Sequence, residues 1–421
     1  MWIILVHSAC NNPRAKRAQG RACEQSSGST ICSSSYMFKR IPSTSQRQSL
    51  FTLKLLLSLL LAIIQVSSVN SLPRAQTQEG TSQIELSQPL TLRWQYNSEN
   101  TINLTPTTDG ERIYLPLANG TMVSLSASDG QLIWKMDLGG QLSSSPVADE
   151  RAVYVASETR VDESKAPRAT GALHALGRAG GITQWMRTFP TPLRGALAAN
   201  QTTLFGGTGD GRVYAIQKRT GEILWITQYS APFNSQPLAF DSSLYLGSED
   251  GTLIALSQAT GRTFWRYRTR GFVRGQVAVA NGLVFFGSAD GYVYAVNESN
   301  GRLRWRTRTG AAVQAVAIAD NGLLATSQDN FVYYLSLTKG HRLWKQQLAG
   351  RLPAQPLTAN DGALFIPLSS DAGVVLNLRD GKQLNLLPLG EDASIAASPI
   401  TAGRTVFVTT RHGLLAFSRP G

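Results

Sequence analysis

The sequence predicts an all-β fold: an eight-bladed β-propeller of four-stranded antiparallel blades, with seven blades as the alternative count. Three observations carry this. Seven of the eight tryptophans lie on one ruler (Trp94, Trp134, Trp185, Trp225, Trp265, Trp305 and Trp344), with gaps of 40, 51, 40, 40, 40 and 39 residues. A glycine stands four residues before six of them: Gly130, Gly181, Gly221, Gly261, Gly301 and Gly340. A second glycine lies ten residues before most of those, at Gly120, Gly171, Gly211, Gly251 and Gly291. A period near forty marks repeats that bury their faces against one another, and four short strands fit that period where a helical pair does not.

Within a repeat the strands are termed a to d, in chain order. The turns Asp210-Gly211, Asp250-Gly251 and Asp290-Gly291 each precede an alternating strand c, such as Val213-Tyr214-Ala215-Ile216. Asp-Gly between alternating apolar runs is a hairpin signal, since glycine takes a positive φ at no steric cost. Upstream runs at Ser243–Gly247, Leu283–Gly287 and 152–156 supply strand b. Tryptophan sits on strand d. Alanine recurs in strand c at Ala175, Ala215, Ala255 and Ala295, leaving room for the indole.

The array is incomplete at both ends in complementary ways. Trp94 has no a, b and c strands before it, whereas residues 398–418 supply a, b and c with no d after them. The first d strand is expected to complete the last blade and close the ring, removing exposed sheet edges. The eighth d strand follows Gly381, with Asn385 and Leu387 in place of a tryptophan. If the region 373–389 is not a blade, the count is seven.

Ahead of the array, Leu55–Val66 is a twelve-residue apolar run preceded by Lys39, Arg40, Arg47 and Lys54. It is too short to span a membrane comfortably and reads as a secretory signal. The expected organisation is a mis-called start or leader over 1–36, a signal peptide over 37–71, a linker over 72–89 and the propeller over 90–418. Cleavage is expected after Ser71 or Ala75, with an uncleaved anchor as the alternative. The expected location is the periplasm or cell envelope, with secretion as the alternative. All three cysteines (Cys10, Cys23, Cys32) precede Met37, so no disulfide or thiolate site is expected after cleavage. The net charge of +13 falls to about +6 beyond residue 71, because residues 1–71 hold 8 Lys and Arg against 1 acidic residue.

The segment Gly211-Arg-Val-Tyr-Ala-Ile-Gln-Lys-Arg-Thr-Gly-Glu-Ile-Leu-Trp225 resembles the pyrroloquinoline-quinone (PQQ) repeat. That repeat builds eight-bladed propellers in quinoprotein alcohol dehydrogenases and in the outer-membrane protein assembly factor BamB family. The resemblance spans about residues 90–418. It implies a propeller scaffold whose partners are envelope proteins, an outer-membrane β-barrel assembly complex among them. No enzyme activity is expected. The dehydrogenases of this family hold calcium and quinone with carboxylates, an aromatic floor and long insertions, often beside a cysteine pair. Every tryptophan after residue 71 is used by the repeat and the blades are short, so no cofactor, metal or catalytic residue is expected. His174, His341 and His412 are scattered over different blades and are expected at surface or turn positions.

Register nominates a docking surface. Nine residues past each tryptophan the chain reaches the innermost strand at the pore mouth, at Asn103, Ser143, Arg194, Asn234, Arg274, Gln314 and Pro353. In the last blade the equivalent is Ala396. Arginine grips carboxylates in bidentate fashion, so Arg194 and Arg274 suit an acidic partner loop, a small anion or a glycan. The alternative is a solvated pore mouth with both arginines paired to neighbours. Blade 2 carries an insertion at 158–170, expected as a long surface loop. Blades 4 and 5 place Arg266, Arg268 and Arg270, then Arg302, Arg304, Arg306 and Arg308, on one strand face, either a basic rim for lipid headgroups or acidic polymer or a solvated edge. Nucleic acid is not an expected partner, peripheral membrane contact stays open, and a monomer is expected.

Overall fold

The computed structural model describes residues 84–161, 168–391 and 395–420, all within the unit Leu72–Gly421. The leader, signal and most of the linker lie outside the described residues. Those described contain no helix; their strands form eight antiparallel sheets, the blades of a propeller. Blade 1 spans Thr107–Asp137, blade 2 Gln141–Phe189, blade 3 Leu193–Gln228 and blade 4 Leu238–Arg268. Blade 5 spans Ala278–Arg308, blade 6 Val313–Gln347 and blade 7 Leu357–Pro388. Blade 8 combines Ile400–Ser418 with Thr91–Asn97, which pairs antiparallel with Gly413–Ser418.

The tryptophan ruler has a physical cause at the joints between blades. Each indole lies against the c–d turn glycine of the next blade, at φ between +67° and +74° from Gly130 to Gly381. Positive φ and contact with a ring both exclude a side chain there. Six indole N–H groups, from Trp134 to Trp344, also donate to a backbone carbonyl of that next turn at 2.7–2.9 Å. One side chain thus supplies apolar contact and a directional bond to its neighbour.

Strand pairing explains the residues around it. Ala175, Ala215, Ala255 and Ala295 stand directly across from Trp185, Trp225, Trp265 and Trp305. An aromatic on strand b then reaches the indole across the small residue, as Tyr245 reaches Trp265 at 5.9 Å and Phe285 reaches Trp305 at 5.7 Å. Blade 6 differs: Tyr334 on strand c stands opposite Trp344, their rings 5.2 Å apart and tilted by 31°, and Leu324 takes the strand b place. Every strand d carries a register shift at the residue before the tryptophan position, such as Phe264 or Arg304. A bulge on an outermost strand twists its edge and deters pairing with another chain.

Where blade 8 has no covalent c–d turn, residues 84–90 fill the gap. Leu86 is fully buried and packs with Ile84 and Leu90 against Leu364, Val375 and Phe417. Asp361 accepts from the backbone N–H of Leu86 at 3.0 Å and of Ser87 at 2.7 Å. Asn385, in the tryptophan place of blade 7, donates to the carbonyls of Leu86 (2.6 Å) and Gln88 (3.0 Å). Residues 84–89, the end of the segment read as a linker, are therefore packed.

Polar pairs repeat at successive joints: Asp109 with Arg178 at 2.6 Å, Asp149 with Lys218 at 3.1 Å, and Asn200 with Gln258 at 2.7 Å. At the joint of blades 4 and 5 the corresponding group is Glu298. Burial raises its pKa, and the nearby charge of Asp241 raises it further.

Two local expectations are corrected. The insertion in blade 2 is an extended hairpin rather than a loop, because strands Ala152–Val161 and Arg168–Gly177 stay paired to Val161 and Arg168. Its tip, 162–167, lies outside the described residues. His174 is buried at 5% exposure instead of lying at the surface, with Nε2 3.0 Å from Ser157 Oγ, and burial lowers its pKa. His341 and His412 are exposed.

Candidate functional site

The innermost strands are two or three residues long in most blades and reach seven only in Leu193–Ala199 and Val313–Ala319 among the described residues. In blade 2 this strand breaks into pieces: Gln141–Leu142 and Val147–Ala148 pair with strand b, while Ser144–Ser145 runs parallel to Gly195 and Ala196 of blade 3. Hydroxyls tie other blades together at this radius. Ser398 N–H donates to Thr105 Oγ1 at 3.0 Å, and Gln355 N–H to Ser398 Oγ at 3.0 Å. These contacts fix the backbone around a central cavity of about 250 Å³.

Six of the eight register positions line that cavity: Asn103, Asn234, Arg274, Gln314, Pro353 and Ala396. The other two do not. Ser143 turns its hydroxyl to the carbonyl of Leu193 at 2.7 Å. Arg194 lines a separate groove with Thr191, Asp210, Pro232 and Asn234.

Both arginines are held by glutamates of the preceding blade. Arg194 Nη2 meets Glu158 Oε2 at 2.9 Å. Arg274 makes a bidentate pair with Glu249, Nε to Oε1 at 2.8 Å and Nη2 to Oε2 at 2.7 Å. Its guanidinium also stacks 4.0 Å from the Phe272 ring, and Asn234 Nδ2 donates to Glu249 Oε1 at 3.0 Å. The Arg274 hydrogen bond, with help from Asn234, holds the Glu249 carboxyl below its usual range. The guanidinium of Arg274 is raised by the same bond. Its positive charge is thus matched within the protein, leaving the cavity wall polar and close to neutral.

The register argument missed the neighbours two residues along, which share the same strand face: Thr105, Ser145, Gln236, Gln276, Gln355 and Ser398. The period-two rule applied to the nominated positions would have found them. The amides of Gln236, Gln276, Gln314 and Gln355 bond to no described residue. Among the described residues lining the cavity there is no carboxylate and no aromatic ring. Among the described residues, no group of three or more His, Cys, Asp or Glu is placed to hold a metal ion.

The sequence model of the family described as outer membrane protein assembly factor BamB matches residues 86–165, 169–274 and 270–420. Among solved structures the chain is similar to BamB from Moraxella catarrhalis, with a TM-score of 0.66 and 15% identity over 79% of this chain and 98% of that one. The computationally designed Ika8 protein gives 0.68 and 14% over 78% and 99%. The quinohemoprotein alcohol dehydrogenase of Comamonas testosteroni gives 0.64 and 13% over 78% and 76%. At such identities the structural likeness shows the fold alone. No curated protein matches the chain in sequence.

Proposed function

Because the chain belongs to the family of the outer membrane protein assembly factor BamB, we propose that it is an exported, non-enzymatic scaffold that docks envelope proteins on its pore-mouth face. A β-barrel assembly complex of the outer membrane is the partner that family membership favours. The observation that supports this most is the Glu158–Arg194 and Glu249–Arg274 pairs, standing at the pore mouth beside the extended hairpin of blade 2. In each pair the arginine is about half exposed and the glutamate largely covered, so an acidic partner loop can reach the guanidinium from solvent with the pair intact. The test is affinity purification from crosslinked, detergent-solubilised envelope. Recovery of an outer-membrane β-barrel insertase supports the proposal; recovery of nothing above background removes it.

A second reading rests on the cavity. Four unpaired glutamine amides around 250 Å³ suit a neutral, hydroxyl-rich ligand such as a glycan segment. A small anion is the other candidate of this reading, since the Arg194 and Arg274 guanidiniums each keep an exposed face. Calorimetry with neutral and acidic glycans separates these ligands.

The quinone reading inherited from the repeat fits poorly. Calcium takes several oxygen ligands, carboxylates among them, and the described residues of the cavity wall include no carboxylate. Dye-linked alcohol oxidation on adding quinone and calcium would restore that reading.

A further inference from the structure

We propose that the outer edge of blades 4 and 5 docks on an anionic lipid surface, with arginines meeting phosphate and exposed apolar side chains entering the headgroup layer. Two outermost strands, Thr263–Arg268 and Leu303–Arg308, form this edge. With their flanking turns they read Gly261-Arg-Thr-Phe-Trp-Arg-Tyr-Arg-Thr-Arg270 and Gly301-Arg-Leu-Arg-Trp-Arg-Thr-Arg308, eight arginines and no acidic residue. All eight are exposed, because the alternate positions carry Trp265, Thr269, Trp305 and Thr309 inward.

Charge compensation is nearly absent. Among the described residues only the Arg268 guanidinium meets a carboxylate, Asp250 at 3.7 Å, and it remains 72% exposed; Asp290 Oδ2 accepts from the backbone N–H of Arg270 at 3.0 Å. At the pore mouth, by contrast, both arginines are paired. Arg266 is braced 4.9 Å over the Tyr229 ring and Arg306 4.9 Å over Tyr292, contacts that orient a guanidinium without neutralising it. Lysine is absent from both strands, and the planar fork of arginine suits phosphate oxygens.

Apolar side chains choose among polyanions. The bulge on strand d of blade 4 lifts Phe264 to 55% exposure, and Leu303 on blade 5 is 44% exposed. A soluble acidic polymer gives such side chains nothing to bury, whereas a bilayer interface accepts aromatic and leucine side chains beside basic ones. Blades 2 and 3 differ: Met186 and Ile226 replace the arginine that follows Trp265 and Trp305. The cationic edge is therefore a sector of the ring rather than a property of the repeat.

The test is co-sedimentation of the full-length protein with phosphatidylcholine vesicles with and without phosphatidylglycerol. The apolar run Leu55–Val66 is common to all variants, so differences between proteins read the edge. Binding should be stronger to anionic vesicles and fall as salt rises. The triple change Arg266→Gln, Arg304→Gln and Arg306→Gln should reduce anionic-vesicle affinity about 100-fold, at roughly fivefold per charge. Phe264→Ser should weaken binding to vesicles but leave binding to soluble heparin unchanged. Lys135→Gln on blade 1 should change neither, and an unchanged circular dichroism spectrum verifies folding. Equal vesicle binding by the triple variant and the parent overturns the proposal. So does heparin binding that matches vesicle binding with Phe264→Ser silent in both, which would assign the edge to a soluble polyanion.

Discussion

Gly301 sits so close to the indole of Trp265 in the preceding blade that a Cβ there would come within 2.5 Å of Cε3. The same pairing recurs from Gly130 with Trp94 to Gly381 with Trp344, so the repeat is a chain of glycine–indole joints. Gly301→Ala meets both the ring and a backbone φ of +67°. It should destabilise the protein by about 2 kcal/mol or more, read from urea denaturation. Gly282→Ala, also at positive φ but with open space around it, should cost less.

Trp305 separates the two halves of the joint. It is 9% exposed, and its N–H donates to Leu337 O at 2.9 Å. Trp305→Phe keeps most apolar contact and leaves that carbonyl without its partner, so a loss of about 1–2 kcal/mol is expected. Trp305→Ala should cost about 3–5 kcal/mol. Thermal and urea unfolding of the pair checks the ratio.

Glu298 gives a signed pH dependence. Its pKa is raised by burial and by the charge of Asp241. A carboxyl so shifted holds its proton more tightly folded than unfolded. Its contribution is full below the unfolded value of about 4.3 and is lost as pH rises through the folded value. Glu298→Gln should therefore raise the unfolding midpoint at pH 7.5, with the gain vanishing near pH 4. Gln258 fills the same place one blade earlier and bonds to Asn200. An unchanged midpoint at pH 7.5 would count against strain at this joint.

Asp361 tests the ends of the array. We propose that residues 84–90 and strand Thr91–Asn97 hold blades 7 and 8 together through pairing with Gly413–Ser418 and the Asp361 clamp. Asp361→Ala removes the acceptor for two backbone N–H groups and should cost about 2 kcal/mol. Limited proteolysis should then cut between residues 84 and 90 faster than in the parent.

The blades were legible because glycine and tryptophan are each forced by one contact, and that contact recurs every forty residues. Asn385 breaks the pattern for the same reason. The next blade offers it no covalent turn glycine, so the position bonds to the carbonyls of Leu86 and Gln88 instead. Tyr334 was not foreseen, because blade 6 carries the aromatic on strand c with Leu324 across from it on strand b, where blades 4 and 5 set an alanine against Tyr245 or Phe285. At the pore mouth, register located Asn234 and Arg274 but not the charge balance. Glu249 sits just before the Asp250-Gly251 turn, where only the fold shows that it faces the following blade. Glu158 was read as part of a loop, yet paired strands carry it to Arg194.

The central claim, a docking surface at the pore mouth, is tested most directly by site-resolved crosslinking. A photo-crosslinking residue is placed at Asn234 on that face and, separately, at Leu224, which is 52% exposed on the outer strand of blade 3. After irradiation of intact cells, Asn234 should yield one discrete protein adduct that Glu249→Lys abolishes, and Leu224 should yield none. A discrete adduct from Leu224 with none from Asn234 would contradict the assignment and move docking to the blade edges.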